Sequence, residues 1–145
     1  MRIAIASDHA AVGMKAALAE WLRGQGHQVD DLGTDGEGSV DYPDFGYALA
    51  AHVACGKAER GVALCGTGIG ISIAVNRNTQ VRCALVSEPL SAALSREHND
   101  ANVIAMGARV IGIEMAKACV TAFLATPFGG ERHARRVAKL GQLPA

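Results

Sequence analysis

The sequence predicts an α/β protein, with a five-stranded parallel sheet covered by helices on both faces, a three-layer α/β/α sandwich. Two observations carry that expectation. Short β-branched runs alternate five times with longer segments of helical periodicity, and that alternation closes as a parallel sheet with helices packed above and below it. Half of the 145 residues are hydrophobic and 19% are charged, enough apolar surface to fill a globular core. No internal repeat, linker or low-complexity stretch interrupts the pattern, so residues 1–145 read as a single domain.

The strands fall near 2–6 (RIAIA), 28–32 (QVDDL), 61–65 (GVALC), 81–86 (VRCALV) and 102–106 (NVIAM). The second is diluted by two aspartates. Between the first two, Met14, Leu18, Trp21 and Leu22 share one helical face, and Phe45, Leu49 and Val53 recur at i, i+4 and i+8 before the third. Further helices are expected over 88–98, over 112–125 with Ile113, Ala116, Val120 and Phe123 turned inward, and over about 131–140. Stripes of this kind are core packing. The stretch 33–43, rich in Gly and Asp, reads as a surface loop returning to the strand ends.

Lys plus Arg and Asp plus Glu number 14 each. That balance argues against a nucleic-acid partner while allowing a local cluster to hold one phosphate. No apolar run reaches ~18 residues, so no membrane partner is expected. MRIAIASDHA lacks the features of a secretory signal, which makes the cytoplasm the expected location. Cys55, Cys65, Cys83 and Cys119 form no CxxC pair, so neither a metal nor a redox motif is expected and the thiols should be reduced.

In a parallel α/β sheet, ligands sit at the carboxyl ends of the strands. The loops that matter are Ser7-Asp8-His9, Gly33-Thr34, Gly66-Thr67-Gly68, Ser87-Glu88 and Gly107-Ala108-Arg109. Cys65-Gly66-Thr67-Gly68-Ile69-Gly70 follows the third strand and opens a helix, so its amides point at a ligand from the positive helix end. A cysteine at that position is favoured as the thiolate and can serve as base or nucleophile. The same residues also suit a tight turn capped by a buried strand residue, and the motif alone leaves both readings open. The spacing G-x-G-x-G after the third strand fits neither a dinucleotide fingerprint nor a P-loop, and Ile71 stands where a cysteine-phosphatase cradle needs arginine. Asp8 and His9 offer a carboxylate and an imidazole, although Asp8 also fits a helix N-cap. His98-Asn99-Asp100 closes a helix, where histidine often only meets the dipole. Arg132 and Arg136 lie one turn apart and can converge on one phosphate, or simply face solvent. Together these groups describe a site for a hydroxylated, singly phosphorylated small molecule.

SDHA near the start, DYP at 41–43, CGTGIGISIAVN at 65–76, SREHNDANVIAMGARVIG at 95–112 and RHARRV at 132–137 resemble ribose-5-phosphate isomerase type B, in order and spacing, over essentially the whole chain. The wider family includes galactose-6-phosphate isomerase subunits. The resemblance implies a Rossmann-like, cofactor-free aldose–ketose isomerase of a small phosphorylated sugar in the pentose phosphate pathway. It also implies a homodimer or dimer of dimers with shared sites. Carried onto this sequence, Cys65 is the base, and Gly66, Gly68 and Gly70 with Thr67 hold the developing oxyanion. His98 opens the furanose ring, with Asp8 on the other side of that step. His9, Arg132 and Arg136 grip the phosphate, and Tyr42 contacts the sugar. Asn99 and Arg109 are implied to arrive from the neighbouring subunit, with His98. Departures from the family pattern fall at Ala11, Val12, Leu90 and the GGERH tail. Cys65, with Ala74 and no Glu in the following helix, places the chain in the thiol branch. Six-carbon aldose 6-phosphates and a four-carbon tetrulose phosphate are the rival substrates. A receiver or nucleotide-binding module fits poorly, because Cys65 and Gly107-Ala108-Arg109 occupy the places of its acidic acceptor and lysine.

Overall fold

The computed structural model describes residues 1–145. Five strands alternate with six helices: β1 (Arg2–Ser7), α1 (Val12–Gly24), β2 (Gln28–Asp31), α2 (Tyr42–Ala54), β3 (Arg60–Cys65), α3 (Ile69–Val75), β4 (Cys83–Leu85), α4 (Pro89–Asn99), β5 (Val103–Gly107), α5 (Ile113–Ala125) and α6 (Arg132–Leu140). A 3₁₀ turn, His9–Ala11, precedes α1. Every strand pair is parallel and the order is β2-β1-β3-β5-β4. The expected sandwich is therefore present. β4 is shorter than the run 81–86, and the irregular stretch spans 32–41. No helix is long and apolar enough to cross a membrane.

The strands sort their side chains by size. Ile3, Ile5, Val62, Leu64, Ile104 and Met106 face α1, α4 and α5, where Leu18, Leu22, Ala92, Val120 and Phe123 complete one core. The alternate positions Ala4, Ala6, Ala63, Cys65, Val103 and Ala105 face α2 and α3, where Leu49, Ala50, Val53, Ile71 and Val75 complete the other. This is the period of two expected of a strand buried on both faces. Small residues on the second face draw α2 and α3 onto the sheet and each other. A Cβ on Gly46 of α2 would meet the Ala74 Cβ of α3 at 2.8 Å.

β1 and β3 are neighbours, yet α1 leaves β1 toward one face while α3 leaves β3 toward the other. Their carboxyl ends thus diverge, and a crevice opens between them. The edge strand β4 is blunted by one side chain. Asn76 donates Nδ2 to the Cys83 carbonyl (2.9 Å) and accepts the Cys83 amide on Oδ1 (2.8 Å), which occupies groups that would otherwise recruit another strand.

Candidate active site

The crevice between β1 and β3 is a cleft of about 430 Å³ lined by Asp8, His9, Tyr42, Cys65, Gly66, Thr67, Gly70 and Arg109, among others. Cys65 is the last residue of β3, 4% exposed, and its sulfur points to the α2–α3 side. The Gly68 amide donates to Sγ at 3.1 Å, and the Ile69 amide donates to Thr67 Oγ1 at 3.2 Å. These contacts divide the expected cradle. Gly68 addresses the sulfur, whereas the amides of Gly66, Thr67 and Gly70 have no acceptor within the protein and are left for a ligand.

Two glycines are dictated by this geometry. Gly68 sits at φ +78°, the left-handed region, with the backbone of Met106 beneath it. Gly70 lies under the Tyr42 ring, and a Cβ there would come within 2.4 Å of it.

The four cysteines are not equivalent. Burial pushes the Cys83 thiol up to about 12, and burial, with Glu88 nearby, raises Cys119 as well. Cys55 is exposed and donates to the His52 carbonyl. Only Cys65 pairs a buried sulfur with an amide donor at a strand end.

Asp8 does what an N-cap does, accepting the Ala10 amide on Oδ1 at 3.0 Å, and it also lines the cleft. His9 accepts the Val40 amide on Nδ1 at 3.1 Å. That bond leaves the ring proton on Nε2, which becomes a donor. Arg109 lies over Gly66 of its own chain, its Nη1 3.3 Å from where a Gly66 Cβ would stand. The resemblance implied that Arg109 arrives from a neighbouring subunit; within this chain it already lines the cleft. The β5–α5 turn, bonded to β3 through Ala108 N–H to Cys65 O and Arg109 N–H to Gly66 O, delivers it in cis. Glu88, at another strand end, is an N-cap for α4, accepting the Leu90 and Ser91 amides.

His98, Asn99 and Arg136 gather elsewhere, in a second hollow of about 290 Å³ with His133, Val137 and Leu140. The end of α4 is held by Asp100, which is paired with Arg96 at 2.8 Å and Arg82 at 3.4 Å. Gly129 donates to the Glu97 carbonyl, which brings α6 alongside. His133 stacks on His98 with ring centroids 4.5 Å apart. Desolvation, then Arg132, His98 and Arg136, hold the His133 imidazole below its ordinary range. Only its place inside RHARRV marks His133 in the sequence. Arg132 opens α6. Within one chain, then, the implied phosphate grip is split, with His9 in the first cleft and Arg136 in the second hollow. The largest hollow, about 590 Å³, flanks β4 and shares only Asn99 with the expected site. It lies beside an edge strand rather than at the carboxyl ends of the central strands.

No group of three or more His, Cys, Asp or Glu side chains is arranged to hold a metal ion. Fold and site together define a class: a parallel α/β sandwich presenting a thiol, a carboxylate, an imidazole and free amides to a small polar ligand at its central strand ends. Residues 3–140 match the family model described as Ribose/Galactose Isomerase, and the chain belongs to this family. It is 43% identical to ribose-5-phosphate isomerase B of Escherichia coli over 136 residues, 94% of this chain and 91% of that one. It is 42% identical to the D-erythrulose-4-phosphate isomerase of Pectobacterium atrosepticum over 143 residues, 97% and 93% of the two chains. The solved ribose-5-phosphate isomerase B of Clostridium thermocellum superposes with a TM-score of 0.96 at 46% identity, over 98% of this chain and 96% of that one.

Proposed function

We propose that the protein interconverts ribose 5-phosphate and ribulose 5-phosphate without a cofactor, Cys65 acting as the base. The observation that carries the reading is the Cys65 sulfur, buried at the cleft floor and held by the Gly68 amide. With the aldose open, the thiolate takes the proton from C2. The C2–H electron pair becomes the C1=C2 bond, and the carbonyl pair moves onto O1. The free amides of Gly66, Thr67 and Gly70, with the Thr67 hydroxyl, stabilise this enediolate, a contribution of ~3 kcal/mol per donor. The thiol returns its proton to C1 while O2 loses its own and O1 gains one, leaving the ketose. Asp8 and His98 serve ring opening, and Tyr42 bounds the sugar. His9 and Arg109 from one side, and Asn99, Arg132 and Arg136 from the other, hold the remaining hydroxyls and phosphate.

That assignment needs two copies of the chain, because Cys65, His9 and Arg109 line one hollow while His98, Asn99 and Arg136 line a separate one. The surface agrees. α6 has no buried residue, and Tyr42, Ile69, Ile73 and Leu140 stand exposed around the two hollows. A homodimer joining the cleft of one copy to the second hollow of the other covers this apolar surface. The five-carbon substrate is favoured by the Escherichia coli and Clostridium thermocellum relatives. A four-carbon substrate is favoured by the Pectobacterium one, and one carbon changes only the span from Cys65 to the phosphate grip.

The test is a panel of four-, five- and six-carbon sugar phosphates, run with Cys65→Ala and His98→Ala. Each variant is expected to be inactive alone while still binding ribose 5-phosphate, and a refolded mixture should regain activity, because a mixed dimer contains one intact site. Normal turnover by Cys65→Ala removes the base assignment, and a mixture that stays dead removes the shared site. A preference for another carbon length replaces the substrate.

A further inference from the structure

One buried charge lies outside the cleft. Lys15 of α1 is 1% exposed, and its three donors are all used: Nζ meets Asp31 Oδ1 and Oδ2 at 2.8 and 2.6 Å and Asp35 Oδ1 at 2.7 Å. Burial alone pulls a lysine down, but the hydrogen bonds and charges of both aspartates outweigh it and leave the ammonium above the ordinary lysine value. A buried charge with complete pairing is costly to build and needs a purpose. The packing of α1 on β2 does not supply one, since Leu18 and Leu22 already provide apolar contact there.

What the ammonium holds is the 32–41 segment. Asp31 ends β2 and accepts the Gly33 amide, and Ser7 exchanges backbone bonds with Gly33 and Thr34 at 2.8 Å each. Asp35, its side chain 79% exposed, is folded back onto α1 by Lys15, although it there meets the like charge of Asp31. Beyond it, the next side-chain bond to the segment is Val40 N–H to His9 Nδ1, two residues before Tyr42 begins α2. Backbone bonds to Ile5 and Ser7 hold the start of the segment, and Lys15 and His9, both on the stretch of chain that leaves β1, hold it further along.

We propose that Lys15 is a positioning residue. By bridging Asp31 and Asp35 it holds the 32–41 segment where the Val40 amide fixes the His9 ring with Nε2–H toward the cleft and where Tyr42 closes over Gly70. Its catalytic consequence rests on the proposed isomerase reading, since it acts through two residues assigned there to the substrate. The chemistry is general: an imidazole whose Nδ1 is occupied by a fixed amide can offer only Nε2–H, and a donor locked in this way binds an anionic oxygen without first choosing a tautomer.

The experiment reads the His9 ring by nitrogen NMR of histidine-labelled full-length protein, assigned with His9→Gln, in the parent, Lys15→Met and Asp35→Asn. The parent should carry its proton on Nε2. Both variants should show a mixture of tautomers, and KM for the sugar phosphate should rise about tenfold while kcat stays within about threefold. A merely structural lysine lowers the melting temperature but leaves the tautomer alone. An unchanged Nε2–H tautomer in the variants overturns the proposal, as does an unchanged KM. If Lys15→Met fails to fold, Asp35→Asn, altered at an exposed side chain, decides alone. If the parent turns over no sugar phosphate, the isomerase reading fails while the tautomer readout still judges the clamp.

Discussion

Gly68→Ala is the substitution for which the structure predicts the most. Gly68 has φ +78°, where a residue with a Cβ pays ~1–2 kcal/mol. The new methyl would stand 2.7 Å from Leu85 Cδ1, 2.8 Å from the Met106 carbonyl carbon and 3.0 Å from its oxygen. Leu85 can turn away, but Met106 is backbone in β5, paired with Leu64 of β3, and cannot. Forcing a methyl into such a site costs ~1–3 kcal/mol. Together the two effects come to roughly 2–5 kcal/mol, and at ~2–4 °C per kcal/mol for a domain of this size the melting temperature should drop by roughly 4–20 °C. The loop can relax only by lifting, which draws the Gly68 amide from Cys65 Sγ. Lifting also displaces the neighbouring Thr67 and Gly70 amides, and losing one preorganised oxyanion donor typically costs ~3 kcal/mol, so kcat should fall about a hundredfold even well below the melting point. Calorimetry and a steady-state assay of ketose formation measure the two effects separately. A variant that melts within about 2 °C of the parent and turns over at the parental rate would refute both the rigidity of the turn and the importance of the amide–sulfur contact.

Three other outcomes are expected. Iodoacetamide at neutral pH should modify Cys55 and Cys65 but not Cys83, raised to about 12, nor Cys119. Ribose 5-phosphate should protect Cys65 alone, and early labelling of Cys83 would contradict the raising of its thiol. Arg136→Ala should raise KM about tenfold or more with little change in kcat, as loss of uniform binding does, and a fall in kcat at constant KM removes its phosphate role. The Asp30 carboxyl is held below the ordinary carboxylate range, first by its hydrogen bond to His52 and then by Arg2. The unfolded chain therefore binds the proton more readily, and this contribution, present above about pH 4, is lost as the pH falls through the folded value. Melting curves of Asp30→Asn should be less steep in that acid window and lie a few degrees lower at neutral pH, consistent with a partly exposed pair worth under about 1 kcal/mol. A parallel acid dependence in both proteins would contradict the assignment.

How much of this was legible beforehand depends on the range of the forces involved. Alternating apolar runs specify the strands, and with them a parallel sandwich, because each element must bury its own stripe. Cys65, Thr67 and the glycines are legible as one strand–turn–helix unit for a local reason too: the three parts are adjacent in the chain, and Gly68 needs its left-handed conformation whatever lies nearby. His98 and Asn99 at a helix end, and Arg132 and Arg136 one turn apart, are visible as candidates, but only the family resemblance gives them roles.

The rest depends on contacts between distant residues. Arg109 sits over Gly66 because β5 lies beside β3, an adjacency that chain order does not reveal. The stacking of His133 on His98 needs α6 to fold back beside α4. Lys15 reads as an ordinary polar position of an amphipathic helix until Asp31 and Asp35 are seen converging on it, and only that convergence makes its burial affordable. Sequence periodicity records which residues leave water. Which buried groups then face one another is settled by the packing of the sheet, since a side chain's partners are chosen by neighbouring strands and helices rather than by neighbours along the chain.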